Sequence, residues 1–386
     1  MSTLNNVVIN KLSGGLGRRN PEQDMVSGLL FNGQSTLELP LDKVERLASL
    51  EDAAALGIKE ENDINGQSVY YQVQQFFRLN PSGDLYIMKT AATSYENIVE
   101  QAMTMQEKTN GNIRQMAIIY SGATTFTQTL SAVAKAQNQA AMAYKDYMPF
   151  EIIMEGKGFD PQDAASLAGL NAENVSVVVA MDFEKAAKYT NSAAVGLVLG
   201  AISKAKVSEN IAWIEKFNLT GEGFSKPCFV GGKEIKTLGK LTDLNEKRYI
   251  FTQTHTGLAG VYFNDSHTCT TGTSDYAYIE NNRTINKATR LLRTALLPKL
   301  ASPVLVDIDG KLPQSVSKNF EGLCRSALET MVANQEVSAF DVYVDPKQNI
   351  LATSELKVKA EITPIGTARK IMVDLGFKNP FGIDKA

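Results

Sequence analysis

Two histidines and three cysteines are the residues of this chain best suited to nucleophilic or metal chemistry. His255 and His267 are too few for a multi-histidine metal centre, and zinc asks for four ligands gathered closely. Cys228, Cys269 and Cys324 are odd in number, widely spaced and form no CxxC pair, so they read as reduced, partly buried thiols. His267 stands two residues from Cys269, but side chains along one strand run side by side and do not face each other. No G-x-S-x-G elbow is present to expose a nucleophile.

Ligand loops fail in the same way. Asp307-Ile308-Asp309-Gly310 opens like a calcium loop, but Leu312 stands where the glycine is required and Lys318 where the closing acid is required. Those four residues read instead as a tight turn between short strands. A phosphate-binding G-x-x-x-x-G-K-[ST] is absent, and Lys89-Thr90-Ala91-Ala92-Thr93 follows a strand signal without a single glycine. No cofactor, metal or catalytic residue is therefore expected.

Composition agrees. The chain has 386 residues, 44% hydrophobic and 21% charged, with a formal net charge of −3. Those values fit a globular protein and exclude wholesale disorder, and the charge argues against a surface built for nucleic acid. The first residues lack a signal peptide's basic and apolar regions, and the run 193–202 is about half a membrane span.

From about residue 85 the periodicity alternates. Strands are expected at 85–88, 116–120, 150–154 and 175–181, with helices at 94–108, 126–144, 161–170 and 191–205 between and after them. Gly196 and Gly200 weaken the last of these helices. This alternation predicts an α/β domain with a largely parallel sheet. Residues 220–273 read as loops and short strands, 258–263 the clearest. The C-terminal part reads as α+β: helices at 283–297 and 316–332, then an antiparallel hairpin. Its strands carry Val342 and Val344, then Leu356, Val358 and Ile362, around the turn Asp345-Pro346-Lys347-Gln348-Asn349.

Each end of the chain carries an orphan apolar segment. Val7, Val8 and Ile9 precede a hinge of Gly14, Gly15 and Gly17; Ile371, Val373 and Leu375 follow Gly366. A strand this short, joined through glycine, cannot bury itself locally and has to pair with something distant, such as another chain. On the helix from Arg283, the residues Arg283, Lys287 and Arg290 share one stripe. The stripe reads either as a solvated face or as a surface for an acidic partner.

Read together, the segment from Thr271 through Asp275-Tyr276 to Arg283 and on to Leu297 resembles the contractile tail sheath family, as do the amphipathic helix, hairpin and terminal segment that follow. The N-terminal stretch 7–31, with Gly14-Gly15-Leu16-Gly17-Arg18 and Asp24-Met25-Val26-Ser27-Gly28-Leu29, is similar to a divergent branch of those sheaths. The resemblance implies a non-enzymatic structural subunit that stacks as hexameric rings around an inner tail tube and contracts. Neighbours would be joined by strand exchange, residues 7–9 and 371–375 acting as arms and the hairpin as acceptor. Arg283, Lys287 and Arg290 would touch the tube.

The implied partners are further copies of the chain, the tube protein, and baseplate and tail terminator proteins, without nucleic acid or membrane insertion. Assembly would take place in the bacterial cytoplasm, within a phage tail or injection particle. The expected organisation is an arm and hinge (1–19), an α/β body (20–270) holding an outer variable domain, a C-terminal sheath core (271–365) and a second arm (366–386). The competing readings are an α/β enzyme or ligand-binding protein with its site at the carboxyl ends of the sheet, and a capsid- or tube-like structural protein.

Overall fold

The structure is a computed structural model, and it describes residues 23–33, 38–64, 66–234 and 237–378. The chain opens with β1 (Ser27–Asn32), β2 (Val44–Leu47), α1 (Leu50–Ala55), α2 (Val69–Leu79) and β3 (Leu85–Thr90). It continues through α3 (Tyr95–Val99), α4 (Ala102–Lys108), β4 (Gln115–Ile119), α5 (Phe126–Lys145), β5 (Glu151–Glu155) and β6 (Val175–Val178). Then come β7 (Ala180–Asp182), α6 (Phe183–Ala186), α7 (Val195–Lys204), β8 (Pro227–Phe229), α8 (Leu238–Glu246), β9 (Thr252–His255) and β10 (Leu258–Phe263). The last elements are α9 (Ile279–Leu296), α10 (Gln314–Ala333), β11 (Val337–Tyr343), α11 (Ile350–Thr353) and β12 (Lys359–Pro364).

Six strands make the central sheet, in the order β2-β3-β1-β4-β5-β6. All neighbours are parallel except β2, which runs antiparallel to β3 at one edge. Every residue of β4, β5 and β6 is buried, as expected of parallel strands covered on both faces by helices. One helical group is α7 on β4 and β5 with α2 behind it; the other is α5 on β5 and β6 with α3 and α4 against it. The middle strand β1, Ser27-Gly28-Leu29-Leu30-Phe31-Asn32, was not among the expected strands. Neither was α2.

The glycines of α7 have a packing reason. A Cβ on Gly196 would sit 2.1 Å from the Gln72 carbonyl oxygen, and one on Gly200 2.8 Å from that of Phe76. Glycine at these two positions, four apart, lets the backbones of α7 and α2 touch. Gln72 closes the contact: its Nε2 donates to the Ala193 carbonyl (2.8 Å) and its Oε1 accepts from the Gly196 N–H (2.7 Å). The helix cost of glycine is outweighed by this approach.

Three expectations need correction. The helix at 94–108 is two helices, α3 and α4, the first capped by Ser94 Oγ accepting from the Asn97 N–H (3.1 Å). The expected helix at 161–170 is only a 3-10 turn at Ala168–Leu170. The Asp307–Gly310 turn forms, closed by the Gly310 N–H on the Asp307 carbonyl (3.0 Å), but no strand flanks it.

The apolar interior falls into two clusters. The larger spans the sheet and its helices; the smaller joins Ala288 and Leu291 of α9, Cys324, Leu328 and Met331 of α10, and Val337 and Val342 of β11. Among the described residues no helix is long and apolar enough to cross a membrane.

Candidate assembly site

The second cluster carries the hairpin. β11 and β12 pair antiparallel, with Phe340 opposite Ile362 and Val342 opposite Ala360. Val342 and Val344 are buried, and Val358, Ala360 and Ile362 pack half-buried on the same apolar cluster. Leu356 lies before β12 begins and is half-exposed. Among the described residues no third strand joins this sheet.

Its two outer edges are not equivalent. Along β11, Arg325 Nη2 donates to the Val342 carbonyl (2.8 Å), and the Val344 N–H donates to Glu321 Oε1 (3.0 Å). Side chains thus occupy part of that edge, a common protection of exposed strands. Because the Val342 carbonyl turns away from β12, the Val342–Ala360 pair is of the non-hydrogen-bonded kind. The backbone groups of Ala360, and of Ile362 two residues on, therefore turn outward along β12. Lys359, Glu361 and Thr363 alternate with them towards solvent.

From residue 365 to residue 378, the last described, the chain forms neither helix nor strand, yet its first part is held. Arg369 reaches the body: Nε donates to Asp265 Oδ2 (3.0 Å), Nη2 to Glu280 Oε1 (2.5 Å), and the guanidinium lies over the Tyr278 ring, 3.4 Å from its centroid. Both acids are buried and share Asn210, whose Nδ2 donates to Asp265 Oδ1 (2.5 Å) and Glu280 Oε1 (3.0 Å). Burial holds the Glu280 carboxyl above its usual range, and the Arg369 charge pulls it back. Beyond Lys370 the large apolar side chains are exposed. Ile371 is 81%, Leu375 95% and Phe377 fully exposed, so an apolar strand-length segment stands in water.

Gly366, the expected hinge of this arm, is exposed. Its φ lies outside the left-handed range, nothing crowds its Cβ position, and it sits between β12 and the Arg369 contact, held on both sides. The N-terminal arm strand, Val7, Val8 and Ile9, and its hinge, Gly14, Gly15 and Gly17, lie outside the described residues.

The basic stripe of α9 is corrected. Arg283 and Lys287 are buried, and the side chain of Arg290 is only 10% exposed. Lys287 Nζ donates to Asp24 Oδ2 and Glu336 Oε1, both at 2.7 Å, and Arg290 Nη2 to Asp24 Oδ1 at 2.7 Å. Arg283 Nη2 donates to the Asp24 carbonyl and its Nη1 to the Lys206 carbonyl, at 3.3 and 3.1 Å. The stripe faces the chain's own entry segment rather than a partner. Burial pushes Arg290 down to about 10 and lowers Arg283, while Asp24 opposes the shift in both. Spacing put the three on one face, but the expectation that this face turns outward, to solvent or to a partner, is overturned.

The residues first weighed for chemistry sit apart from one another. The three cysteines are free and buried, and burial pushes the Cys228 and Cys269 thiols up to about 12. His267 is buried, its Nε2 2.9 Å from Asn245 Oδ1, and burial pushes it down to about 3, so it is neutral at ordinary pH. The His255 ring lies 5.8 Å from that of Tyr262, tilted 45° to it. Among the described residues no three His, Cys, Asp or Glu side chains could together hold a metal ion.

At the carboxyl ends of the central strands, where α/β ligands bind, the chain bonds to itself. Asn32 Oδ1 accepts from the Ser121 N–H (2.8 Å), Glu155 accepts from the Tyr120 and Ala193 N–H groups, and the Tyr120 hydroxyl donates to the Thr93 carbonyl (2.6 Å). A groove of about 1220 Å3 lies elsewhere, between Trp213, Arg248, His255 and the C-terminal segment.

Family models described as the N-terminal and C-terminal domains of DUF2586 match residues 4–267 and 275–382. None of the curated proteins matches the sequence. Among solved structures, the contracted helical sheath of the anti-feeding prophage superposes with a TM-score of 0.67 at 14% identity, covering 98% of this chain and 100% of that one. The contracted sheath complex of an extracellular contractile injection system, PVC, gives 0.61 at 12% identity, covering 98% of each chain. The sheath tail protein of Listeria innocua gives 0.54 at 7% identity, covering 88% of this chain and 95% of that one. The fold is that of the contractile sheath proteins. Matched over nearly its whole length by the two models, the chain belongs to the DUF2586 family.

Proposed function

We propose that this protein is the structural subunit of a contractile sheath and is not an enzyme. It would polymerise as stacked hexameric rings around an inner tube, and contraction would drive the tube through a target envelope. The observation that carries the reading is an exposed apolar segment, 371–377, on a chain whose fold matches sheath proteins end to end and whose hairpin keeps an open edge along β12.

The physics is strand addition to an open sheet edge. An arm of four or five residues adds roughly four backbone hydrogen bonds, each contributing on the order of 1 kcal/mol net. Burying Ile371, Val373 and Leu375 adds about 2 kcal/mol per side chain. One joint is modest, but joints repeated around a ring and along a tube resist any single opening. Residues 20–270 then act as the body, 271–365 as the sheath core, and 1–19 and 366–386 as arms; the break between the two family models supports the middle boundary. Tube, baseplate and terminator proteins are the further partners, in a phage tail or injection particle assembled in the bacterial cytoplasm. Since Arg283 and Lys287 are buried and the side chain of Arg290 is only 10% exposed, the tube contact belongs to other residues.

Truncation after Lys370 tests the reading, because it removes the exposed segment and keeps Arg369 in place. The shortened chain should fold with unchanged circular dichroism and fail to form tubes in negative-stain electron microscopy. Tubes as long as those of the full chain would refute arm exchange at this end.

A further inference from the structure

The C-terminal segment is not uniform. Residues 365–369 line the large groove and Ile371 borders it while 81% exposed; the apolar side chains from Met372 to Phe377 stand in solvent. The boundary falls at Arg369, whose side chain enters a site built by three residues of the body. Asp265 and Glu280 bring two carboxylates into one buried place, which disfavours double ionisation unless a cation is shared between them. A planar guanidinium answers that need better than an ammonium. It offers Nε to Asp265, Nη2 to Glu280 and its flat face to Tyr278. The polar atoms around it are also committed: Ser266 Oγ donates to Glu280 Oε2, and the Ser266 N–H to Asp265 Oδ1 (2.8 Å).

We infer that Asp265, Glu280 and Tyr278 form a guanidinium-binding site on the body, and that Arg369 in this site pins the root of the C-terminal arm. The site exists within one chain; its use in assembly rests on the sheath reading above. The pin divides the segment into a fixed root and a free donor strand, so the arm pivots at Lys370 and beyond instead of at Gly366. It also ties the arm to the first turn of α9, where Glu280 lies. Two to three turns further along the same helix, Lys287 and Arg290 hold Asp24, at the start of the described chain. Asp24 and Arg369, towards the two ends of the described chain, are thereby both fastened to α9, and a pull transmitted through either loads that one helix.

The test uses the full-length, unpolymerised chain with a spin label on an introduced cysteine, Ala368→Cys or Val373→Cys; the native thiols are buried. Without further change the label at 368 should be slow and the label at 373 fast. Arg369→Gln should speed the label at 368 to the rate of the label at 373. Arg369→Lys, which keeps the charge and loses the fork, should fall between them. Methylguanidinium should raise the unfolding midpoint of Arg369→Ala and leave the wild-type midpoint unmoved. Equal mobility of the two labels at the start, no response to Arg369→Gln, or no rescue by methylguanidinium would overturn the inference. Because no step requires polymerisation, these results are independent of whether tubes form. If Arg369→Gln fails to fold, Arg369→Lys with the two labels decides alone, and wild-type mobility in that variant counts against the site.

Discussion

Asp24→Asn is the perturbation that most sharply separates the buried lock on α9 from a solvated charge stripe. Asp24 faces Lys287 and Arg290 at 2.7 Å each, in surroundings where these side chains are 14%, 4% and 10% exposed. Asparagine keeps the shape and removes the charge. Lys287 retains Glu336 at 2.7 Å, but two buried cations and the nearly buried Arg290 then face one fewer carboxylate. Breaking a buried pair by removing one partner costs about 3–5 kcal/mol. With Glu336 still compensating Lys287, a loss of about 3 kcal/mol is expected. Urea unfolding of both proteins measures it as a shift in midpoint at constant slope. The loss should persist at high salt, because buried pairs are weakly screened. A double-mutant cycle with Lys287→Met should return a coupling above about 1 kcal/mol. A loss below about 0.5 kcal/mol that vanishes with salt is the behaviour of an exposed pair and would refute the lock.

Two further predictions concern the body. Burial pushes Glu151 up to about 8 from an ordinary 4.5, against the pull of Asn174 and Asn286, each donating to its Oε1 at 3.0 Å. A raised acid holds its proton in the fold when the unfolded chain has lost it, so this stability is complete below about 4.5 and lost as pH rises through about 8. Glu151→Gln should flatten that part of the pH dependence in urea unfolding; an unchanged slope between the two values would contradict it. Gly196→Ala should cost about 3 kcal/mol by forcing α7 off the Gln72 carbonyl. Gly239→Ala, in α8 with nothing within 4 Å, should gain about 0.5 kcal/mol. Equal effects of the two in thermal unfolding would show that the backbone contact does not limit the fold.

Much of the architecture is legible in the sequence because single elements declare their own period. β3, β4, β5 and β10, and the helices α5, α9 and α10, fall within a few residues of where apolar spacing puts them. What escapes is set by partners far along the chain. The α2 pattern hides because Gln72 and Gln75 are buried in it, satisfied by the Ala193 carbonyl, the Gly196 N–H and the Glu222 carbonyl. The β1 signal is short, lacks alternation and contains Gly28, where a Cβ would lie 2.9 Å from Ile113 Cδ1. The stripe of Arg283, Lys287 and Arg290 is visible from spacing, but Asp24 lies more than 250 residues away from it. Nothing local marks Arg369 at all: an arginine beside Lys370 at the head of an apolar segment acquires its role from Asp265 and Glu280. The hairpin and the exposed apolar run 371–377 were legible because strand alternation and an unburied apolar segment are local properties.

Electron cryo-microscopy of tubes grown from the full chain tests the central claim most directly, at a resolution that traces the backbone. The account predicts residues 371–377 as a strand along the Ala360–Ile362 edge of a neighbouring subunit's hairpin, with Arg369 still seated on Asp265 and Glu280 of its own chain. Tubes in which those residues lie on their own body, with the β12 edge empty, would contradict it.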